Sequence, residues 1–207
     1  TMGVDQAWAI TFGGAPQIDG FSGASTLGFV TAELAGGKDL AEIMPNTYSI
    51  YDLFIGSVPG SMGETSALLL LAGGILLMMM RIITWQIPVT VLGAATLVSG
   101  GLFLLDPSHF PSPLWHLTSG AMMLCAFFIA TDYVTSPVSN LGQVIYGAGI
   151  GALIVIIRTF GSFPEGAAFA VLLMNGCAPL IDEYTRPRIF GRTRKGKPLP
   201  LPGEDKA

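Results

Sequence analysis

After residue 62 the chain is a succession of apolar runs, each near the roughly 20 residues needed to cross a bilayer as helix. That feature narrows the choice of fold most. Backbone amides in hydrocarbon must be satisfied within the segment, so runs of this length are read as membrane helices. Five are expected: about Glu64 to Ile82, Gln86 to Leu105, Pro113 to Ala130, Asn140 to Ile157, and Pro164 to Ile181. Only 12% of the 207 residues are charged, about half the fraction of a soluble domain. The sequence is that of an all-α polytopic membrane protein, and the formal net charge of −4 carries no nucleic-acid signal.

Boundary residues refine the spans. Ser61-Met62-Gly63-Glu64 reads as a capping box, with Ser61 as N-cap and Glu64 reaching back. Arg81 and Trp85 mark the far interface of the first span, and Trp115 with His116 the entry to the third. In the fourth, Gly147 to Gly151 forms a GxxxG face for close helix packing. Seven of the ten bases (Arg186, Arg188, Arg192, Arg194, Lys195, Lys197 and Lys206) follow the fifth span, which assigns the C-terminus to the cytoplasm. Counting back puts residues 1–62 outside, with Lys38 and Arg158 as exceptions to the charge rule. The basic tail, 186–207, suits anionic lipids or cytoplasmic partner subunits. Cys125 and Cys177 sit in apolar runs and are read as packing residues, with no metal site.

Residues 1–62 differ from the five-span region, 63–185. Asp19-Gly20-Phe21-Ser22-Gly23-Ala24-Ser25-Thr26 gathers three hydroxyls among small residues, with a carboxylate upstream. It is either a flexible turn or a slim loop open to another enzyme. Leu27 to Ala35 is expected to be helical, capped by Thr26 and stopped at Gly36-Gly37. Tyr51 to Gly56 is too short to span and is a candidate re-entrant half-helix. Ionisable residues at span ends are candidates for an ion path: Glu64, and Asp132 in the Pro-broken run Thr131 to Pro137. Asp182-Glu183 is expected to pair with Arg186 or Arg188. Walker, dinucleotide-binding, HExxH and CxxC motifs are absent, so no catalytic residue is assigned.

Four stretches together resemble the RnfD proteins of Rnf electron-transport complexes, and more distantly the NqrB proteins of the sodium-pumping NADH:quinone oxidoreductase. They are Asp19 to Ser25; Gly56 to Glu64; Phe128 to Asp132 with Ser136 to Asn140; and Phe163 to Gly166 with Pro179 to Arg188. The resemblance implies a urea-channel-like fold of two inverted five-helix repeats, this chain supplying the second. It implies FMN joined through its phosphate to a motif hydroxyl by a flavin transferase. Ser25 is the attachment position by register and Thr26 the alternative; Asp19 and Ser22 would be recognised by the transferase, and Gly23 and Ala24 would keep the loop slim enough to enter its cleft. A second, non-covalent flavin in the full-length protein belongs to the same expectation. The implied role is electron relay between ferredoxin and NAD, coupled to Na⁺ or H⁺ movement in the bacterial inner membrane. Other membrane and peripheral subunits are the implied partners, and the chain is not catalytic alone. The competing reading is a passive channel or transporter of the same fold class.

Overall fold

The computed structural model describes residues 25–37, 40–43, 49–58, 60–61, 63–161, 163 and 165–185. Asp19, Ser22, Gly23, Ala24 and the basic tail lie outside them. Among the described residues the structure is helical, without strands. Three short helices come first: α1 (Thr26–Ala35), α2 (Leu40–Ile43) and α3 (Ile50–Ile55). Then follow α4 (Ala67–Met79), α5 (Gln86–Leu105), α6 (Pro113–Thr118), α7 (Met122–Leu124), a π-helical stretch (Cys125–Ile129), α8 (Asn140–Phe160) and α9 (Ala167–Tyr184).

Among the described residues two helices, α5 and α8, are long and apolar enough to cross a membrane. Their 20 and 21 residues extend roughly 30 Å at about 1.5 Å per residue. They run parallel. Gly147 lies against Ile87 and Thr90, and Gly151, one turn on, against Val91 and Ala95. A Cβ at Gly151 would overlap the Val91 carbonyl oxygen. The GxxxG face is therefore the seam that lets the two backbones meet, with Val91, Ala95, Ile150 and Ile154 fully buried along it. On α9, Asn175 accepts a hydrogen bond from the Tyr146 hydroxyl of α8, while Gly149 faces the end of Met174.

The other spans depart from expectation. The first begins at Ala67, because Ser66 and not Ser61 caps it, its Oγ accepting from Leu69 N at 3.3 Å. Instead Gly63 turns at φ +88° and Glu64 N donates to Ser61 O. The capping box is not formed, which removes the structural role assigned to Glu64. At 13 residues, α4 is shorter than the ~20 required to cross. The third run is not one helix: α6 ends at Thr118, Gly120 turns at φ +63°, and α7 and the π-helical stretch follow. A π-helix interrupts helices mostly at functional sites. Trp115 and His116 are buried, 3% and 4% exposed, and so are not interfacial anchors.

Residues before α4 make a second cluster, in which Leu27, Val30, Leu40, Ile43 and Leu53 close over Trp115. Gly56, at φ +101°, ends α3 and abuts the Ser66 backbone, turning the chain into α4. Ser25 caps α1, its Oγ accepting from Gly28 N at 3.2 Å, in place of the Thr26 cap expected from sequence. Ser25 wins because it supplies the extended backbone an N-cap requires. Thr26 is the first helical residue instead.

Candidate functional site

The break in the third segment organises the site. In a continuous helix the His116 carbonyl would accept from residue 120, and Ala121 N–H would donate to residue 117. The turn at Gly120 removes both bonds. Groups from elsewhere in the chain replace them: Arg158 Nη1, from the last turn of α8, donates to His116 O at 3.0 Å. Glu165 Oε2, just before α9, accepts from Ala121 N at 3.4 Å. Arg158 Nη2 and Glu165 Oε1 are 2.7 Å apart, joining the two halves of the repair. The guanidinium stands in for a lost amide and the carboxylate for a lost carbonyl. This explains a charge at the end of an apolar helix: the Arg158 side chain is 1% exposed and paired.

Gly120 is where three elements converge. A Cβ there would meet Glu165, Arg158 and Leu27 of α1. No side chain fits, and the left-handed φ also favours glycine. Through Leu27, the repaired break supports the start of α1, which carries Ser25 and Thr26.

Beside this junction lies a small cleft that opens to solvent. Ser25, Thr26, Thr65 and Thr118 bring hydroxyl-bearing side chains to its lining, and Glu64 and Glu165 bring carboxylates. Leu27, Leu53 and Val58 add apolar surface, while Gly60 and Gly120 keep it narrow. Ser25 is half-buried, whereas Thr26 is 5% exposed. The N-terminus of α1 opens here; Ser25 Oγ takes the Gly28 N–H, and the positive dipole end suits an anion.

The structure thus brings Ser25, Thr26 and Glu64 together and leaves Asp132 apart. Asp132 is exposed in the turn before α8, where its Oδ2 accepts from Thr135 at 3.2 Å. Arg158 and the cleft are at the other end of that 21-residue helix. Asp182 belongs to the Asp132 end too: its Oδ1 accepts from Val138 N at 3.0 Å. Beyond the cleft, in the α5–α6 connection, Ser108 donates to Asp106 through hydroxyl and amide. These bonds and neighbouring His109 hold the Asp106 carboxyl below the usual carboxylate range.

Sequence reasoning noted Arg158 only as an exception to the charge rule and passed over Gly120 and Thr118. It noted Glu165 only within the Phe163 to Gly166 stretch. The available signal was Arg158 itself, a cation breaking the charge rule with a carboxylate seven residues on.

An all-α membrane protein with a hydroxyl- and carboxylate-lined cleft at one end of a broken segment is the class these features define. The model of the NQR2, RnfD, RnfE family matches residues 3–191, and the chain belongs to that family. Similar relatives carry the name of RnfD, the D component of an ion-translocating oxidoreductase complex. That of Stutzerimonas stutzeri is 47% identical over 190 residues, covering 92% of this chain and 54% of the relative. That of Halorhodospira halophila is 40% identical over 194 residues, covering 94% and 54%. That of Rhodobacter capsulatus is 48% identical over 149 residues, covering 72% and 42%. The chain spans about half the length of the curated relatives it matches.

Proposed function

We propose that this chain is the flavin-bearing part of a membrane component in a redox-driven ion-translocating complex, with FMN esterified through its phosphate to Ser25. Family membership supports the complex. The observation that carries the site is Ser25 in the lining of the cleft, at the N-terminus of a ten-residue helix. A phosphoester there lies at the positive end of the helix dipole, the local environment that favours a phosphate. Thr26 has the same chemistry but is 5% exposed. Ser25 is therefore the first choice and Thr26 the second. In the transfer the Oγ–P bond forms as the pyrophosphate bond of FAD breaks, AMP leaves, and the flavin transferase takes the hydroxyl proton.

FMN would supply reversible one- and two-electron transfer. The chain's own residues hold its phosphate, shape the cleft and fix its position against partner subunits. Electrons would pass between ferredoxin and NAD, coupled to Na⁺ or H⁺ movement. The cleft end would face outward from the inner membrane and the basic tail inward, with Asp132 at the cytoplasmic end of the candidate ion path.

Peptide mass spectrometry of the denatured chain, from cells making the transferase, tests the reading. The expected result is a gain of one FMN less one water on the peptide holding Ser25 and Thr26. Fragmentation within that peptide assigns the hydroxyl. An unmodified peptide from an assembled, active complex overturns the covalent-flavin assignment and redirects attention to solute flux.

A further inference from the structure

We propose that Tyr146 is a positioning residue of the candidate ion path: a buried hydroxyl that carries the charge state of the Asp132 carboxyl to the α8–α9 contact. The inference rests on the reading of Asp132 above. It adds the route by which a proton arriving at that carboxylate is felt in the middle of the bundle.

The groups are ordered from surface to interior. Asp132 is exposed, Thr135 half-buried and Tyr146 fully buried. Thr135 Oγ1 donates to Asp132 Oδ2 at 3.2 Å, and the Tyr146 hydroxyl donates to Asn175 Oδ1. The Thr135 side chain also lies within hydrogen-bonding reach of the Tyr146 hydroxyl, and Asp132 is near enough to act on it electrostatically. The turn permits this: Ser136 N donates to Asp132 O, which folds Thr135 back beside the carboxylate. Asn175 stands 9 positions before Tyr184, the last residue of α9, roughly 13 Å along the helix at about 1.5 Å per residue. A plain interhelical tie needs only Tyr146 and Asn175. It does not require a second hydroxyl and a carboxylate aligned behind them.

Counting hydrogens turns this alignment into a switch, because each hydroxyl has a single hydrogen to donate. With Asp132 ionised, Thr135 donates to the carboxylate and Tyr146 to Asn175, so no hydrogen lies between the two hydroxyls. A proton taken up on Oδ2 reverses the first bond, and the carboxyl O–H donates to Thr135 Oγ1. The Thr135 hydrogen is then free to turn to the Tyr146 oxygen. Asp132, Thr135, Tyr146 and Asn175 now donate in one direction. A hydroxyl that accepts a hydrogen bond becomes a stronger donor, so the Tyr146–Asn175 bond tightens when Asp132 is neutral. The only covalent change is the O–H bond formed at Asp132. Other titratable or charged groups at this end are Tyr133 of the turn, Cys125 near Tyr146, Asp182, Glu183 and Tyr184 of α9, and Arg81 of the α4–α5 turn. Asp182 is engaged by Val138 N at 3.0 Å.

The test uses the purified full-length protein in nanodiscs with ring-deuterated tyrosine. Infrared difference spectra read the C–O stretch of Tyr146, assigned by its loss in Tyr146→Phe, and the Asp132 carboxyl band, assigned by its loss in Asp132→Asn. On acid titration the wild-type Tyr146 band should shift with the midpoint of the Asp132 band. Asp132→Asn and Thr135→Val should each hold the Tyr146 band fixed. Thr135→Ser should restore the shift, which a purely structural role for Thr135 does not predict. Asp182→Asn should leave the shift as in wild type. A Tyr146 band that stays put while Asp132 titrates overturns the proposal, as does a shift that survives Thr135→Val. Asp132 is exposed, so Asp132→Asn keeps the test decisive if Thr135→Val does not fold; a shift persisting there also overturns it. Ion uptake by the assembled complex in vesicles is measured separately. Undiminished uptake in Asp132→Asn removes the ion-path reading itself, whatever the infrared bands do.

Discussion

The α5–α8 seam and the broken third segment solve opposite packing problems. At the seam two continuous helices approach through small residues, and everything needed lies within each helix. Gly147 and Gly151 present bare backbone to Ile87, Thr90, Val91 and Ala95. At the break a helix loses backbone hydrogen bonds that must be replaced. The replacements, Arg158 and Glu165, come from sequence about 40 residues away. A seam made of absent atoms is rigid and featureless. A break closed by charge leaves polar groups at the surface of a cleft. The candidate site accordingly lies at the break.

The largest effect should come from Arg158→Met. Removing one partner of a buried ion pair costs about 3–5 kcal/mol, and the lower end applies because Glu165 is 34% exposed. Thermal unfolding in detergent should show this loss, with partial recovery in Arg158→Met/Glu165→Leu. No recovery would mean that the pair does not close the break. Next is Gly151→Ala, which forces a methyl against the Val91 carbonyl oxygen. Overpacking typically costs about 1–3 kcal/mol, and the upper end is expected because backbone cannot step aside. Gly149→Ala is the internal control. Its new methyl meets only the flexible end of Met174, so well under half that loss should be seen. Equal losses at the two glycines would show that the seam is not where the helices are held.

Tyr146→Phe removes the hydrogen bond to half-buried Asn175, a loss of about 1 kcal/mol. The smallest effect is at Asp106. Its folded-state carboxyl titrates below the unfolded one, so its contribution is present above the ordinary aspartate range. That contribution is lost as pH falls through the folded value. Melting curves of wild type and Asp106→Asn should differ slightly at neutral pH and converge in acid.

How far each region could be read in advance follows from the same contrast. The seam is local: two glycines four residues apart, Gly147 and Gly151, announce it. The break is not, because Pro113 to Ala130 is apolar throughout and hydropathy is blind to a left-handed φ at Gly120. Ser119-Gly120 was the local sign, and such pairs also occur inside unbroken membrane helices. Arg158 looked like an exception to a charge rule because that rule counts bases without asking what they bond. Caps shifted for a related reason. Ser25 competes with Thr26, and Ser66 with Ser61; backbone direction chooses between them, not side-chain type. Ser25, Thr26 and Glu64 were legible as polar residues of interest, but their convergence on one cleft depends on the second cluster around Trp115.

The π-helical stretch has a mechanical consequence. It seats Phe127 over Gly74 and Phe128 over Gly73, so consecutive rings drop into consecutive notches on α4. Sliding α4 by one residue would drive the side chain of Ala72 or Ile75 into a ring. That helix is indexed like a toothed part, not free like a piston. Any excursion of α4 would have to carry Cys125–Ile129 with it.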